Sequence, residues 1–410
     1  MHVSGSYFLA TVALFLSLSL AAFSSDDQWT QWLGPNRNAI QPNGAPPQPW
    51  TDSGPQVLWR KALGEGVSAI SVSGDHAVTM CGKGDEEFVV CLSASTGEEH
   101  WRVFSGKNFI EAHANGPRST PTIHENRVFA LSAGGMLYAL SLDSGKKIWS
   151  VHLKETFGSK GPSDEGYATA PLVDGQRLLV EVGGNAGKSL AAFDLASGKL
   201  LWNTESVKSG FSSPIMVEMK GLRQAVFFSG SGLVSVSPDT GKTFWTYPWA
   251  TEYDVNAVTP LWVDKDKIFI SSAYGVGSAL LYMETKGKTV SVKEIWRRKN
   301  FKNHYATSIL QNGYLYGYDN SNLACIDVEK GDLKWKSRDI PKGTLISSGG
   351  RLIVLTEKGE LFLADPSPEG VKVLARAKVM EPNCYTVPAL SKGRLFVRNG
   401  REVAAFKLDL

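Results

Sequence analysis

The segment Ala139-Leu-Ser-Leu-Asp-Ser-Gly-Lys-Lys-Ile-Trp149 has the form of a strand end, a tight turn and the start of a second strand. Asp143 and Ser144 can bond their own backbone, Gly145 accepts a positive φ, and Ile148-Trp149 resume an apolar run. One copy would be an ordinary hairpin. The phrase returns as Cys91-Leu-Ser-Ala-Ser-Thr-Gly-Glu-Glu-His-Trp101, Ala192-Phe-Asp-Leu-Ala-Ser-Gly-Lys-Leu-Leu-Trp202, Ser235-Val-Ser-Pro-Asp-Thr-Gly-Lys-Thr-Phe-Trp245 and Cys325-Ile-Asp-Val-Glu-Lys-Gly-Asp-Leu-Lys-Trp335. Looser versions end at Trp296 and near Ala375.

The tryptophans at 59, 101, 149, 202, 245, 296 and 335 recur every 39–53 residues. A repeat of roughly 40–50 residues carrying four short strands marks a β-propeller blade. Helical repeats of that length need apolar runs with a 3.6-residue period. Here the alternation has period two, as in Arg127-Val-Phe-Ala-Leu-Ser. The repeat predicts an all-β, eight-bladed propeller of four-stranded antiparallel blades. Expected blades are 66–102, 117–150, 167–203, 210–246, 256–297, 304–336 and 343–376, with 384–410 joined by 57–63. In that last blade Val57–Leu63 supplies the outer strand that the C-terminal segment lacks, which closes the ring.

The Ala-x-Asp-x-x-Thr/Ser-Gly-Lys-x-x-Trp phrase resembles the tryptophan-docking motif of the quinoprotein-like propellers. That family includes pyrroloquinoline-quinone dehydrogenases and the propeller lipoprotein of the outer-membrane β-barrel assembly machine. The resemblance covers nearly all of residues 57–410 and is specific for fold, not for function. It implies that Trp101, Trp149, Trp202, Trp245 and Trp335 lie on outer strands and pack against the next blade. Trp59 and Trp296 would do so from weaker contexts.

Outside the repeat, Phe8 to Phe23 is an apolar run followed by the small-x-small site Ala22-Phe-Ser24. Residues 1–25 are therefore expected to be a cleaved secretory signal, although Met1-His-Val carries no Lys or Arg. That implies a periplasmic or secreted protein without a stable membrane span. The first cysteine is Cys81, so a lipid anchor just after the signal is not supported. Residues 26–56 are proline-rich and expected to be a lead-in that covers the propeller, with Trp29 and Trp32 as anchors. Trp29 lies outside the repeat and is expected to matter less to stability than a docking tryptophan. Cys81, Cys91, Cys325 and Cys384 have no metal-ligand spacing. Free buried thiols are expected, with a bridge from Cys81 to Cys91 or Cys384 as the alternative.

Each blade opens on a small or hydroxyl cluster, often closed by proline: Arg118-Ser-Thr-Pro121, Tyr167-Ala-Thr-Ala-Pro171, Phe211-Ser-Ser-Pro214, Asn256-Ala-Val-Thr-Pro260, Tyr305-Ala-Thr-Ser308 and Tyr385-Thr-Val-Pro388. Inner strands begin near the axis, so these loops should ring one mouth of the channel. They carry Glu111, His113, Arg118, Asp164, Glu165, Tyr167, Asp254, Asn256, Asn303, His304, Tyr305, Lys342, Asn383 and Tyr385. Singly, each suits a solvated loop or a turn. Together they form a candidate binding funnel of mixed charge and aromatic character.

With 43 basic against 40 acidic side chains, the chain lacks the footprint of a nucleic-acid binder. No nucleophile elbow, His-Glu-x-x-His or phosphate loop is present, and no metal site is expected. Two classes of function remain. One is an exported, monomeric scaffold that binds protein, peptide or glycan on one face and needs no cofactor. The alternative, implied by the resemblance, is a pyrroloquinoline-quinone and calcium-dependent dehydrogenase of alcohols or sugars. The short loops and the absence of adjacent cysteines favour the scaffold.

Overall fold

Period-two alternation and glycine-bearing turns produce antiparallel hairpins throughout the chain. The computed structural model describes residues 1–2, 28–111, 114–159, 161, 166–183, 187–287 and 289–410. Among these, the strands assemble into eight antiparallel sheets, one per blade. Blade 1 comprises Ser71–Ser73, His76–Lys83, Glu86–Ser93 and Glu99–Lys107, from axis to rim. Blades 2 to 7 span residues 122–152, 172–204, 215–248, 261–298, 309–337 and 343–378. Blade 8 takes Ala389–Ser391, Arg394–Arg398 and Glu402–Lys407 from the C-terminus and Gln56–Ala62 from the N-terminal side. The expected signal segment falls almost entirely outside the described residues. Among the described residues no helix is long and apolar enough to cross a membrane. All four cysteines are free and buried.

The repeated phrase explains how blades join. Each docking indole N–H donates to a carbonyl in the turn between the third and outer strands of the following blade. Trp59 donates to Ala94 O (3.1 Å), Trp101 to Leu142 O (2.7 Å) and Trp149 to Leu195 O (3.2 Å). Trp202 donates to Pro238 O (2.9 Å), Trp296 to Val328 O (2.9 Å) and Trp335 to Ser367 O (2.7 Å). The turn glycine lies against the same ring at Trp59, Trp101, Trp149, Trp202 and Trp296, whereas Gly370, in the turn that receives Trp335, meets nothing within 4 Å. A Cβ on Gly198 would sit 2.6 Å from the Trp149 ring, and one on Gly331 would sit 2.7 Å from Trp296. Both glycines have a positive φ, so the position needs glycine for conformation and for clearance. Trp59 and Trp296, the weaker matches in sequence, dock like the rest. Trp245 departs, because its N–H goes to Gln224 Oε1 within its own blade (2.8 Å).

The hydroxyl clusters form a buried girdle around the axis. Ala69 N donates to Thr120 Oγ1 (3.1 Å), Ser119 to Thr169 O (2.9 Å) and Ala170 N to Ser213 Oγ (2.9 Å). Ser212 donates to Val258 O (3.0 Å), and Thr344 to Thr386 O (3.1 Å). These groups stitch neighbouring inner strands together and satisfy backbone atoms that sheet pairing leaves over.

The lead-in does more than cover the propeller. It threads the channel. Trp29 pairs with Val72 in blade 1, and Thr30 O accepts from Ile123 N in blade 2 (2.7 Å). The fully buried Arg37 donates to Ala170 O (3.4 Å), Pro171 O and Pro214 O (2.9 Å), and Trp32 Nε1 donates to Thr259 Oγ1 (2.9 Å). Ile40–Gln41 then pairs in parallel with the inner strand of blade 7, making that sheet five-stranded. Trp29 is 1% exposed, so the expectation that it matters less than a docking tryptophan is corrected. It belongs to the core although it lies outside the repeat.

Trp149→Ala, Trp202→Ala and Trp29→Ala are each expected to cost about 3–5 kcal/mol in chemical denaturation, the range for truncating a buried aromatic. Gly198→Ala should destabilise measurably although it adds a single methyl. A Gly198→Ala protein as stable as the parent would show that the glycine–indole contact is not tight. Deleting residues 28–62 removes the channel segment and the outer strand of blade 8, exposing a sheet edge. Aggregation or a markedly lower melting temperature is expected. An unchanged melting curve would contradict ring closure by this strand.

Candidate functional site

Connections between blades emerge on the same face as the turns between second and third strands. The opposite face carries the docking turns and is laced by ion pairs between neighbouring blades, such as Arg177–Asp239 (2.6 Å) and Lys267–Glu329 (2.8 Å). The candidate residues therefore belong to the connecting-loop face, yet they divide into three groups.

Some are internal. Tyr167 is 1% exposed and its hydroxyl donates to Val182 O (2.8 Å); burial pushes its phenol up to about 12. Asn256 is buried, donating to Ser229 O (2.9 Å) and Trp249 O (3.2 Å) while accepting from Ser272 Oγ. Asn303 is buried and donates to Tyr318 O (2.9 Å). These three anchor connections to the sheets, so the placement of their side chains in an open funnel is corrected. His113, Asp164 and Glu165 lie outside the described residues.

Others hold the loops by charge. Glu111 and Arg118 pair at 2.6 Å, with each side chain 11% exposed, and the guanidinium lies over the Phe109 ring. Asp254 pairs with Lys208 at 3.0 Å. Asn383 adopts a left-handed φ of 74°, and its N–H donates to Glu357 O.

The remainder converge. His304 Nε2 lies 3.0 Å from the Tyr274 hydroxyl, and its Nδ1 lies 3.2 Å from Lys342 Nζ. Lys342 also pairs with Glu357 (3.1 Å) and sits 4.8 Å above the Tyr305 ring. The Tyr305 hydroxyl donates to Glu357 Oε1 at 2.7 Å. The rings form a continuous strip: Tyr253–Tyr274 at 6.3 Å between centroids, Tyr274–His304 and His304–Tyr305 at 5.5 Å, and Tyr305–Tyr385 at 6.0 Å. The strip runs from the connection before blade 5 to the connection before blade 8. Its outer rings Tyr253, Tyr274 and Tyr385 are exposed, while His304 and Tyr305 are half-buried.

Four residues in its loops adopt a left-handed backbone. Tyr253, Asp254, Tyr274 and Phe301 all have φ between 56° and 63°, a region bulky residues rarely occupy. Such strain persists where the surroundings over-determine it, often at binding sites. Tyr253, Tyr274 and Glu357 were missed by sequence reasoning. Their signal was available in principle: Tyr274 and Glu357 sit at tips of second-to-third-strand turns, which face the connecting loops, and Tyr253 lies in a connecting loop itself.

The strip suits binding better than proton transfer. Burial, then the Glu357 contact, drives the Tyr305 phenol far above its ordinary range, so it stays a hydrogen-bond donor. The quinone and calcium of the alternative reading do not fit. Mouth acids Glu111, Asp254 and Glu357 are each committed to a cation, and Trp32 and Arg37 fill the channel. Among the described residues no cluster of three or more His, Cys, Asp or Glu is arranged to hold a metal ion.

Residues 51–163 and 112–337 match the profile of the family described as outer membrane protein assembly factor BamB. The chain belongs to this family. It is 24% identical over 290 residues to the BamB of Moranella endobia, covering 68% of this chain and 71% of that one. Against the BamB of Escherichia coli K12 it is 23% identical over 307 residues, covering 70% and 76%. Among solved structures, BamB from Moraxella catarrhalis superposes with a TM-score of 0.62 at 14% identity, covering 87% of this chain and 98% of that one. The quinohemoprotein alcohol dehydrogenase of Comamonas testosteroni gives 0.64 at 13% identity, covering 93% and 80%. Likeness to both at such low identity reflects the shared propeller and does not choose between their activities.

Beneath the family's connecting-loop face lies a buried acid outside the strip. Glu181 is buried at the end of the second strand of blade 3 and accepts from Gly210 N (3.0 Å), leaving Oε2 without a partner among the described residues. Burial pushes its carboxyl from the ordinary 4.5 up to about 8. The folded state thus binds more protons than the unfolded one between those values, and stability falls as pH rises through that window. Glu181→Gln keeps an acceptor for Gly210. It should leave the melting temperature little changed near pH 4.5 and raise it above pH 8. A difference between the two proteins that does not vary with pH would rule out a buried, protonated Glu181.

Proposed function

We propose that this chain is an exported scaffold that engages a partner protein through its connecting-loop face, with the aromatic strip as the main contact. Its relatives' name, outer membrane protein assembly factor, makes a protein in outer-membrane assembly the first partner class to try. The observation that carries the reading is the run of touching rings from Tyr253 to Tyr385, with Tyr253, Tyr274 and Tyr385 exposed and left-handed backbone at Tyr253 and Tyr274. Tyrosine gives large contact area at low conformational cost and is enriched among residues that dominate binding energy. Under the same proposal residues 1–25 are a signal removed on export, and the mature propeller works as a monomer in the periplasm or outside the cell. Residues 26–56 would plug the channel, leaving 57–410 as the propeller.

In a pull-down from the exported fraction, Tyr253→Ala combined with Tyr385→Ala should reduce partner recovery at least tenfold while the melting temperature stays within a few degrees. Full recovery by that double variant, with loss on changing Asp143 and Asp239 on the opposite face, would place the working surface on the wrong side.

A further inference from the structure

We propose that the rim of blades 5 to 8 is a contact surface for an anionic lipid bilayer, centred on the junction between blades 6 and 7. The near-balance of 43 basic and 40 acidic side chains conceals a segregation that the repeat exposes. The three residues after each docking position occupy equivalent places at the end of the outer strand, so the blades can be compared directly. They are Arg297-Arg298-Lys299 in blade 5, Lys336-Ser337-Arg338 in blade 6, Arg376-Ala377-Lys378 in blade 7 and Arg60-Lys61-Ala62 in blade 8. Nine of these twelve are Lys or Arg and none is acidic. In blades 2 to 4 the same places hold Ser150-Val151-His152, Asn203-Thr204-Glu205 and Thr246-Tyr247-Pro248, with no Lys or Arg. Blade 1 has Arg102 alone, paired with Glu99 at 2.8 Å. Lysines on outer strands commonly guard a sheet edge against pairing. Edge protection does not account for this distribution, because the outer strands of blades 3 and 4, Leu200–Thr204 and Thr243–Pro248, are edges too and carry no Lys or Arg.

The charge is uncompensated at the centre of this arc. Towards its ends Lys293 is matched by Glu284 (2.8 Å) and Arg60 by Glu402 (2.7 Å). At the centre Lys336 is held by Asp319 (2.6 Å), but the side chains of Lys334, Arg338, Lys372 and Arg376 are exposed and make no ion pair or hydrogen bond among the described residues. The turn that receives Trp335 also stays open. A Cβ on Gly370 would meet nothing within 4 Å, and a shallow cleft of about 430 Å³ runs past Trp335, Lys336, Arg338, Asp339 and Val371. Asp339 accepts from Ser337 Oγ (2.8 Å), and the nearby acids Asp332 and Glu369 lie back in the docking turns. Trp335 is partly exposed, and Leu333 and Val373 stand exposed on the two outer strands. Unpaired cations on long stems around an indole and short aliphatic groups suit the headgroup layer of a bilayer. An acidic protein would need opposed charges at fixed positions. These side chains are unheld and spread along a convex edge, which a field of anionic headgroups accommodates. A plane touches the edge of a ring over few blades, and the unpaired charges lie on two adjacent ones. A ring standing on that edge keeps its connecting-loop face and aromatic strip clear for a partner protein.

The test is vesicle flotation of the full mature protein with phosphatidylcholine alone and with phosphatidylcholine carrying about 30% phosphatidylglycerol. The protein should float with the anionic vesicles at about 50 mM salt, lose them at about 500 mM, and ignore the neutral ones. Each Lys or Arg near an anionic surface adds about fivefold to partitioning. Lys334→Gln, Arg338→Gln, Lys372→Gln and Arg376→Gln together should therefore weaken binding well over tenfold, and Arg338→Gln alone several-fold. The control removes the same charge elsewhere, with Lys146→Gln, Lys147→Gln, Lys199→Gln and Lys242→Gln on blades 2 to 4. These are exposed lysines, and the control should float like the parent. Tyr253→Ala with Tyr385→Ala should also float like the parent, whatever it does to partner recovery. The inference is overturned if neither vesicle binds, if both bind equally, or if the two fourfold variants behave alike. It is also overturned if the tyrosine variant loses the vesicles while the rim variant keeps them. Binding of a decaglutamate peptide that the rim variant abolishes, without binding of anionic vesicles, would give the surface to an acidic protein instead.

Discussion

Six of the eight blade junctions are held by an outer-strand indole donating to a carbonyl of the next blade's turn, and at five of them the ring lies on that turn's glycine. The contact works because a single turn meets several demands together. Glycine supplies the left-handed backbone and the clearance, the turn exposes a carbonyl, and the outer-strand tryptophan brings apolar area and one donor. A docking tryptophan left without its turn would expose a large ring and bury an unsatisfied N–H. The motif therefore has to be present as a pair, tryptophan on one blade and turn on the next.

That pairing explains where the tryptophan is missing. Blade 7 carries Ala375 opposite Leu363, where blade 6 carries Trp335 opposite Cys325. Blade 8 draws its third and outer strands from opposite ends of the chain and so has no turn between them. An indole at 375 would meet no receptor. Blade 5 has such a turn, but its third and outer strands, Gly277–Lys286 and Thr289–Arg298, are long, and Gly287 at their tip lies against nothing. Trp245 accordingly turns to Gln224 in its own blade. Contact between blades 4 and 5 passes instead to Tyr247 with Glu294 and to Arg297 over Trp249.

Most of the fold could be read from the sequence because the docking phrase is local: eleven consecutive residues encode turn, strand and contact. Blade number and ring closure followed from counting these phrases. The channel segment could not be read that way. Arg37 is buried against carbonyls of residues 170, 171 and 214, and nothing in Gly34-Pro-Asn-Arg37 announces partners so distant. The site was half legible for a related reason. His304, Tyr305, Lys342 and Tyr385 were named from their loops and do converge. Asn256 and Asn303 came from the same loops and proved to be internal anchors. Loop membership fixes the face, but only tertiary packing decides whether a polar side chain points outward or ties the loop down.

The two irregular junctions bracket the aromatic strip. Tyr253 lies in the connection between blades 4 and 5, and Tyr385 in the connection between blades 7 and 8. These are the junctions at which no outer-strand indole donates to the next blade's turn, although Trp249 crosses the first of them to Ser272 (3.1 Å). Between them, Trp296 and Trp335 dock regularly and hold blades 5, 6 and 7 in fixed register beneath His304 and Tyr305. The middle of the strip thus lies over docked blades, and its exposed ends lie in the two connections where that docking is absent. Loops freed from the docking constraint are also where a propeller can vary its sequence without losing its fold, so a binding surface is cheapest to build there.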